Sequence, residues 1–302
     1  MNPEITVLGC GFIGFNLVTS YINKNIDVRV LDCKPCPPEF AKNIEWVQGS
    51  FLNKEHIRKA IRGVNVVFHL ISTTVPGDRI DEGEELSVNV IKTIELLKLC
   101  LEEQIKRVVF ISSASVYGYQ DHIPISETAA TNPISSHGIQ KLTIEKFLQL
   151  FKYEYGLDYK IMRLSNPYGI GQNIYGRQGF IAISLGRILA GKAIQVRGDG
   201  STIRDYIYIG DVVDACQKLA STSSMENIFN IGSGRGSSLM GIIGEMELIL
   251  GNKISVEHVP GRNVDIPVSV LDISCARSEL NFEPSVGLSE GLRNTMIYHG
   301  LL

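Results

Sequence analysis

Short apolar runs alternate with longer amphipathic ones over the first half of the chain. EITVLG (4–9), IDVRVLD (26–32), IEWVQG (44–49), VNVVFHLIS (64–72), KRVVFISS (106–113) and LDYKIMRLS (157–165) are rich in Val and Ile and have strand length,. VNVVFHLIS is almost continuously apolar, the pattern of a strand covered on both sheet faces. Between these runs, GFIGFNLVTSYINK (11–24), NKEHIRKAIRG (53–63), ELSVNVIKTIELLKLCLEE (85–103) and SSHGIQKLTIEKFLQLFKYEYG (135–156) carry apolar residues at helical spacing,. Strand–helix alternation of this kind predicts an α/β fold with a doubly wound parallel sheet.

After about residue 165 the pattern changes. Gly- and Pro-rich turns (NPYGIGQN, RGDGSTIRD, IGSGRGSS, VPGRNVDIP) separate shorter elements. They predict a smaller C-terminal α+β part, with loops of the sort that carry substrate contacts. The expected division is 1–165 for a dinucleotide-binding domain and 166–302 for a substrate domain.

The 302 residues are 44% apolar and 20% charged, the balance of a globular chain,. Net charge is −3, with no basic run or acidic tail, which argues against nucleic acid or an anionic membrane as partner,. No apolar run reaches the length of a membrane span, and the N-terminus lacks the basic region of a signal peptide. Six scattered cysteines suit free thiols in a reducing compartment, so a cytoplasmic protein is expected,. CKPC (33–36) has the C-x-x-C spacing of a redox or metal half-site. With no second pair to complete a zinc site, the reading as two loop cysteines among prolines is favoured, and no metal is expected.

Gly9-Cys10-Gly11-Phe12-Ile13-Gly14 is a G-x-G-x-x-G that ends the first strand and opens the first helix,. In this context Gly9 makes the tight turn, Gly11 admits a pyrophosphate, and Gly14 lets helix pack on strand. The helix N-terminus offers free N–H groups and its positive dipole end to phosphate. Asp32, closing the second strand, is placed to accept hydrogen bonds from the adenosine ribose, and its charge repels a 2′-phosphate. The expected fold is Rossmann-type and the expected cofactor is NAD.

These segments together resemble the extended short-chain dehydrogenase/reductases, specifically nucleotide-sugar epimerases of the UDP-glucose 4-epimerase type. VLGCGFIG is similar to the opening motif, with Leu8 at its usual first glycine. VFHLIS resembles the fourth-strand motif, NVIKT the N-V-x-G-T motif with Lys92 for glycine, and FISSASVYG the motif carrying the catalytic hydroxyl, here Ser113. MRLSNPYGIGQ matches R-x-x-N-x-Y-G, GDGSTIRDYIYIGDV matches G-D-G…R-D-[FY], and VPGRNVDIPVSVLD resembles the late arginine motif. The resemblance covers nearly the whole chain, and implies that about 205–232 returns to the first domain. It implies cofactor contacts at Ser50, Phe51, Leu70 and Lys141 besides the glycine turn and Asp32. It implies substrate contacts at Ser113, Asn166, Arg197, Arg204, Arg262, Asp265 and Ser269. Related 4,6-dehydratases carry an Asp-Glu pair directly after the catalytic hydroxyl; Ala114 and Ser115 stand there, which disfavours dehydration. Ser269 stands at the gate beside the hexose, where a small residue implies a pocket that also admits N-acetylhexosamines. Arg197 replaces an aromatic that often packs on the base, so UDP, TDP, GDP and lipid-linked pyrophosphate sugars all stay open.

In SSHGIQK (135–141) the family's catalytic tyrosine is replaced by His137, with Lys141 four residues on and so on the same helix face. The implied chemistry is transient oxidation at C4 of the sugar, with a residue here taking the hydroxyl proton. A neighbouring ammonium disfavours imidazolium, so a neutral His137 is expected, and neutral imidazole is a competent base. Its ring ends about 2 Å short of a tyrosine hydroxyl, beyond direct reach. A water, Ser113, Tyr117 or Tyr119 would have to bridge the gap; otherwise the site binds without turnover. The alternatives to a 4-epimerase are a nucleotide 4-keto-6-deoxysugar reductase and a catalytically impaired homologue that still binds NAD and sugar nucleotide. A homodimer through the 85–103 and 135–156 helices is also implied, and a place in polysaccharide biosynthesis fits the family.

Overall fold

The computed structural model describes residues 3–72, 81–261 and 266–302. Seven parallel strands form the central sheet: β1 (Ile5–Leu8), β2 (Val28–Asp32), β3 (Glu45–Gln48), β4 (Val66–His69), β5 (Arg107–Ser113), β6 (Asp158–Leu164) and, from much later in the chain, β10 (Ile228–Ile231). From edge to edge the order is β3-β2-β1-β4-β5-β6-β10. The order reverses direction between β1 and β4, the switch point at which open α/β sheets bind ligands. The inner strands are apolar on both faces, as their sequences predict: Val7, Leu8, Val67, Phe68, Val109 and Phe110 are fully buried.

Helices α1 (Phe12–Asn23), α2 (Lys54–Ile61), α3 (Glu82–Leu86), α4 (Lys92–Glu102) and α5 (Ser136–Tyr155) follow the strands of the first half. The sequence predicts one continuous helix over 85–103; instead a π-helical turn, Ser87–Ile91, separates α3 from α4. The extra residue carries Asn89 and Val90 inward. Asn89 Nδ2 donates to Gln140 Oε1 at 2.8 Å, and its carbonyl accepts from Thr93 Oγ1 at 2.5 Å. Turns of this type accumulate where side chains must be re-aimed near functional sites.

The second half builds two smaller sheets, the larger of them around β9 (Ile203–Tyr208). β7 (Asn166–Tyr168) and β13 (Val268–Ser269) run parallel to it, and β11 (Gly236–Ser238) antiparallel. β8 (Ile194–Arg197) pairs with β12 (Val256–Val259). Helix α6 (Phe180–Leu189) packs on β8, while α7 (Ile209–Ser221) returns to the central sheet and α8 (Leu239–Leu250) follows β11. The registers matter for the site: Asn166 lies opposite Tyr206, and Ser269 opposite Arg204.

Candidate functional site

The glycine turn has the geometry its spacing predicts. Gly9 adopts φ +95°, which an L side chain rarely adopts,. A Cβ on Gly14 would sit 2.1 Å from the Gly9 carbonyl oxygen, whereas one on Gly11 would meet nothing within 4 Å. The space above Gly11 is therefore open, and α1 begins at Gly11 with no side chain capping its first N–H groups,. Asp32 projects from the end of β2: Oδ2 accepts from the Cys10 N–H at 2.7 Å and Oδ1 from the Lys34 N–H at 2.9 Å. An open glycine turn, an uncapped helix start and a carboxylate fixed at the next strand end are the parts a dinucleotide needs. Leu70 packs Cδ1 over the Gly14 position. Ser50 turns the chain after β3, its Oγ accepting from the Leu52 N–H at 3.1 Å. Phe51 is buried, its ring 5.2 Å from that of His69. Phe12 and Ile13 open α1 beside the turn and pack on the core.

Lys141 enters from α5. It is 7% exposed, donates to the Ile111 carbonyl at 2.7 Å, and stands 4.7 Å above the Phe110 ring centroid. Burial pulls its pKa down to about 8, opposed by the Glu145 carboxylate. Nearby on β4, His69 is fully enclosed; burial, aided by the Lys141 charge, brings its pKa to about 3, so it stays neutral. Its Nε2 shares a 2.7 Å hydrogen bond with Thr93 Oγ1.

Ser113, at the end of β5, accepts from the Ser115 N–H at 3.1 Å and so caps a short 3₁₀ turn over Ala114–Val116. This turn presses on the start of α5, where a Cβ on Gly138 would lie 2.6 Å from the Ser115 carbonyl oxygen. The first turn of α5 is fixed from the other side as well. The buried Glu85 Oε2 accepts from Ser136 Oγ and from Gln140 Nε2, each at 2.9 Å. His137 sits half-buried between these supports. Two phenols considered as bridges lie elsewhere. Tyr117 is fully buried, with its hydroxyl donating to Asn230 Oδ1 at 2.6 Å and accepting from Arg163 at 3.0 Å, and burial raises its pKa to about 12. Tyr119 is 62% exposed and no part of the adjoining cavity wall.

That cavity, of about 530 Å³, brings together Ser113, Asn166, Arg197, Arg204 and Ser269. Asn166 is oriented by donating to the Asp205 carbonyl at 2.9 Å. Among the described residues its lining includes four arginines, Arg177, Arg187, Arg197 and Arg204, and no carboxylate. An anionic ligand suits that balance. Arg262 and Asp265 lie outside the described residues. His137 is not part of the wall, which on this side is made by Ser113, Ala114, Ser115, Ile134 and Ser135. Three features escaped the sequence reading. Ser115 Oγ and Ser165 Oγ, both on the wall, are buried with no partner among the described residues, a state costing about 1–3 kcal/mol per group unless a ligand satisfies it,. Arg177 and Arg187 come from a loop and a helix with no motif to mark them. Glu145 shares the inner face of α5 with Lys141, and the four-residue spacing was the available signal.

The model of the NAD dependent epimerase/dehydratase family matches residues 5–232. The chain is 30% identical over 293 residues to a putative UDP-glucose 4-epimerase of Methanocaldococcus jannaschii, covering 95% of both. It is 32% identical over 302 residues to a dTDP-4-dehydro-6-deoxyglucose reductase of Escherichia coli, covering 96% of this chain and 95% of that one. The crystal structure of a UDP-glucose 4-epimerase from Thermotoga maritima with UDP-glucose superposes with a TM-score of 0.92 at 32% identity, covering 98% of each chain. A family model over residues 5–232 and a relative 30% identical along nearly the whole chain agree with the glycine turn and the cavity: the chain belongs to the NAD dependent epimerase/dehydratase family.

Proposed function

We propose that the protein is an NAD-dependent nucleotide-sugar 4-epimerase acting on a UDP-hexose or UDP-N-acetylhexosamine through a transient 4-keto sugar. The observation that carries this reading is the single cavity bordered by Ser113, Asn166, Arg204 and Ser269, cationic and free of carboxylates among its described lining. Dehydration needs an acid–base pair after the catalytic hydroxyl, and Ala114 and Ser115 supply neither group.

In this reading the amide groups of the 9–14 turn and the start of α1 hold the cofactor's pyrophosphate. Asp32 takes the adenosine ribose, Ser50, Phe51 and Leu70 flank the adenosine half, and Lys141 holds the nicotinamide ribose. Bound there, NAD supplies a hydride acceptor that is restored within each turnover. Arg204 and Arg197, with Arg262 and Asp265, hold the nucleotide and its diphosphate; Asn166 and Ser269 contact the sugar. Ser113 lines the cavity and His137 does not, and the Ser113 oxygen already accepts the Ser115 N–H. Ser113 therefore takes the 4-hydroxyl proton as it passes its own to His137, and the reverse transfer follows once the keto sugar has turned its other face. The relay makes up for the short imidazole, because a base acting through one bridging group need not touch the substrate. The same motifs and the exposed apolar side chains of the π turn and α5 support a homodimer.

A second reading, a nucleotide 4-keto-6-deoxysugar reductase, is favoured by the E. coli relative. The two separate on cofactor economy. An epimerase releases its dinucleotide only on denaturation and works without added reductant. A reductase oxidises added NADH or NADPH in proportion to a 4-keto-6-deoxy sugar nucleotide. Stoichiometric reductant consumption with no 4-epimer formation would replace the first reading by the second.

A further inference from the structure

The turn between β3 and α2 is held by a side chain that no motif marks. The Ser50 N–H donates to His56 Nδ1 at 3.0 Å. A backbone N–H can only donate, so Nδ1 is the bare acceptor and the proton of the neutral ring sits on Nε2. The ring also lies against Gly49, where a Cβ would come 2.7 Å from both Cγ and Nδ1 of the imidazole. Gly49 in turn donates its N–H to the Asp32 carbonyl at 2.9 Å. The imidazole is itself placed by α2. The Asn53 cap of that helix accepts from the Glu55 and His56 N–H groups at 2.9 and 3.4 Å, and its Ile57 is fully buried.

Asp32, Ser50 and Phe51 are the positions given above to the adenosine half of the cofactor. His56 bonds Ser50 directly and reaches Asp32 through Gly49. The turn is closed without it: the Asn53 N–H donates to the Ser50 carbonyl at 3.1 Å, and Ser50 Oγ accepts from the Leu52 N–H at 3.1 Å. What the imidazole adds is the direction of the Ser50 peptide, and with it the path of the chain into Phe51. We infer that His56 is a positioning residue for the cofactor, its Nδ1 fixing the turn over 49–51 in the course on which the adenosine half packs. Without an acceptor at that point the Ser50 N–H must rotate toward water, because a half-buried donor left unpaired is costly. The rotation carries Phe51 with it. The inference rests on the adenosine half lying against this turn, as proposed above.

The test loads the full-length protein with isotope-labelled NAD and follows its release into excess unlabelled NAD. His56→Phe keeps a ring against Gly49 and removes the acceptor; release becomes about tenfold faster, the size of one lost hydrogen bond. His56→Asn restores the acceptor without the ring, since its Oδ1 stands one bond from Cγ as Nδ1 does, and it releases NAD near the wild-type rate. A residue that only filled space would give the reverse order, because phenylalanine replaces more of the ring than asparagine does. Asp32→Ala, which removes the ribose contact, marks the adenosine half and also releases NAD faster. His56→Phe at the wild-type rate beside a fast Asp32→Ala overturns the inference, and so does His56→Asn as fast as His56→Phe. Wild-type release from Asp32→Ala overturns instead the placement of adenosine at this strand end, so the two failures differ. If His56→Phe does not fold because its larger ring crowds Gly49, His56→Leu is read in its place, with the same two outcomes.

Discussion

In the proposed reaction the chemistry turns on three side chains: Ser113, His137 and Lys141. If Ser113 relays the proton, Ser113→Ala lowers turnover by about 100-fold with little change in KM, the size expected for loss of a general acid–base route. His137→Tyr also lowers turnover, because the start of α5 is fixed around a shorter ring by the Ser115 carbonyl and Glu85; steady-state rates of both variants check this. Lys141 gives a stability prediction. Its folded pKa, about 8, lies below the ordinary lysine value of 10.5, so between those pH values the unfolded chain binds more protons and stability rises with pH,. At pH 7 the buried charge costs about 3 kcal/mol on this scale. Lys141→Met is therefore more stable than the wild type at pH 7, and its advantage shrinks toward pH 10.5. Urea titrations at several pH values measure that difference. An advantage constant with pH contradicts the assignment. At this scale the sequence was informative about identity and poor about surroundings. Ser113, Asn166, Arg204 and Ser269 were each found from a motif. That Tyr117 is spent on Asn230 and Arg163, and so cannot bridge to the sugar, depends on strand partners 113 and 46 residues away in the chain.

Among the elements, the β1–turn–α1 unit was fully legible, because each glycine answers a local steric demand. Gly14→Ala tests the packing: its Cβ has no room against the Gly9 carbonyl, so helix and turn must part. The variant loses retained NAD and about 1–3 kcal/mol of stability, the usual cost of overpacking; Gly14→Ala that keeps its dinucleotide through gel filtration contradicts the geometry. The 85–103 segment was legible only as a helix. Its apolar spacing is sound on either side of the π turn, but the extra residue is stabilised by Gln140 and Thr93 rather than by anything periodic. The start of α5 repeats the lesson. Ser135 caps the helix, its Oγ accepting from the Gly138 N–H at 3.1 Å, and a serine just before an apolar-periodic run is a local signal,. The support from Glu85 required knowing that α3 lies beside it.

Across the whole molecule, the cavity lies at the carboxyl ends of β5 and β6, where Ser113 and Ser165 line it, and the strand alternation predicted the parallel sheet that carries it. The return of β10 to the edge of the central sheet has no periodic signal, since a four-residue apolar run pairs anywhere. The π turn and α5 leave apolar side chains exposed: Ile91 is 57% exposed, Ile139 50% and Leu150 40%. If this face joins two copies, light scattering gives a dimer mass for the wild type, and Ile139→Asp with Leu150→Asp gives a monomer that still retains NAD. A wild-type monomer removes the dimer. The central claim is tested most directly by proton NMR of the purified protein with UDP-glucose, UDP-galactose and their N-acetylated counterparts, without added reductant. The account predicts interconversion of at least one pair of 4-epimers from both directions, abolished in Ser113→Ala. No interconversion of any pair at any pH, from protein that carries bound NAD, would contradict it.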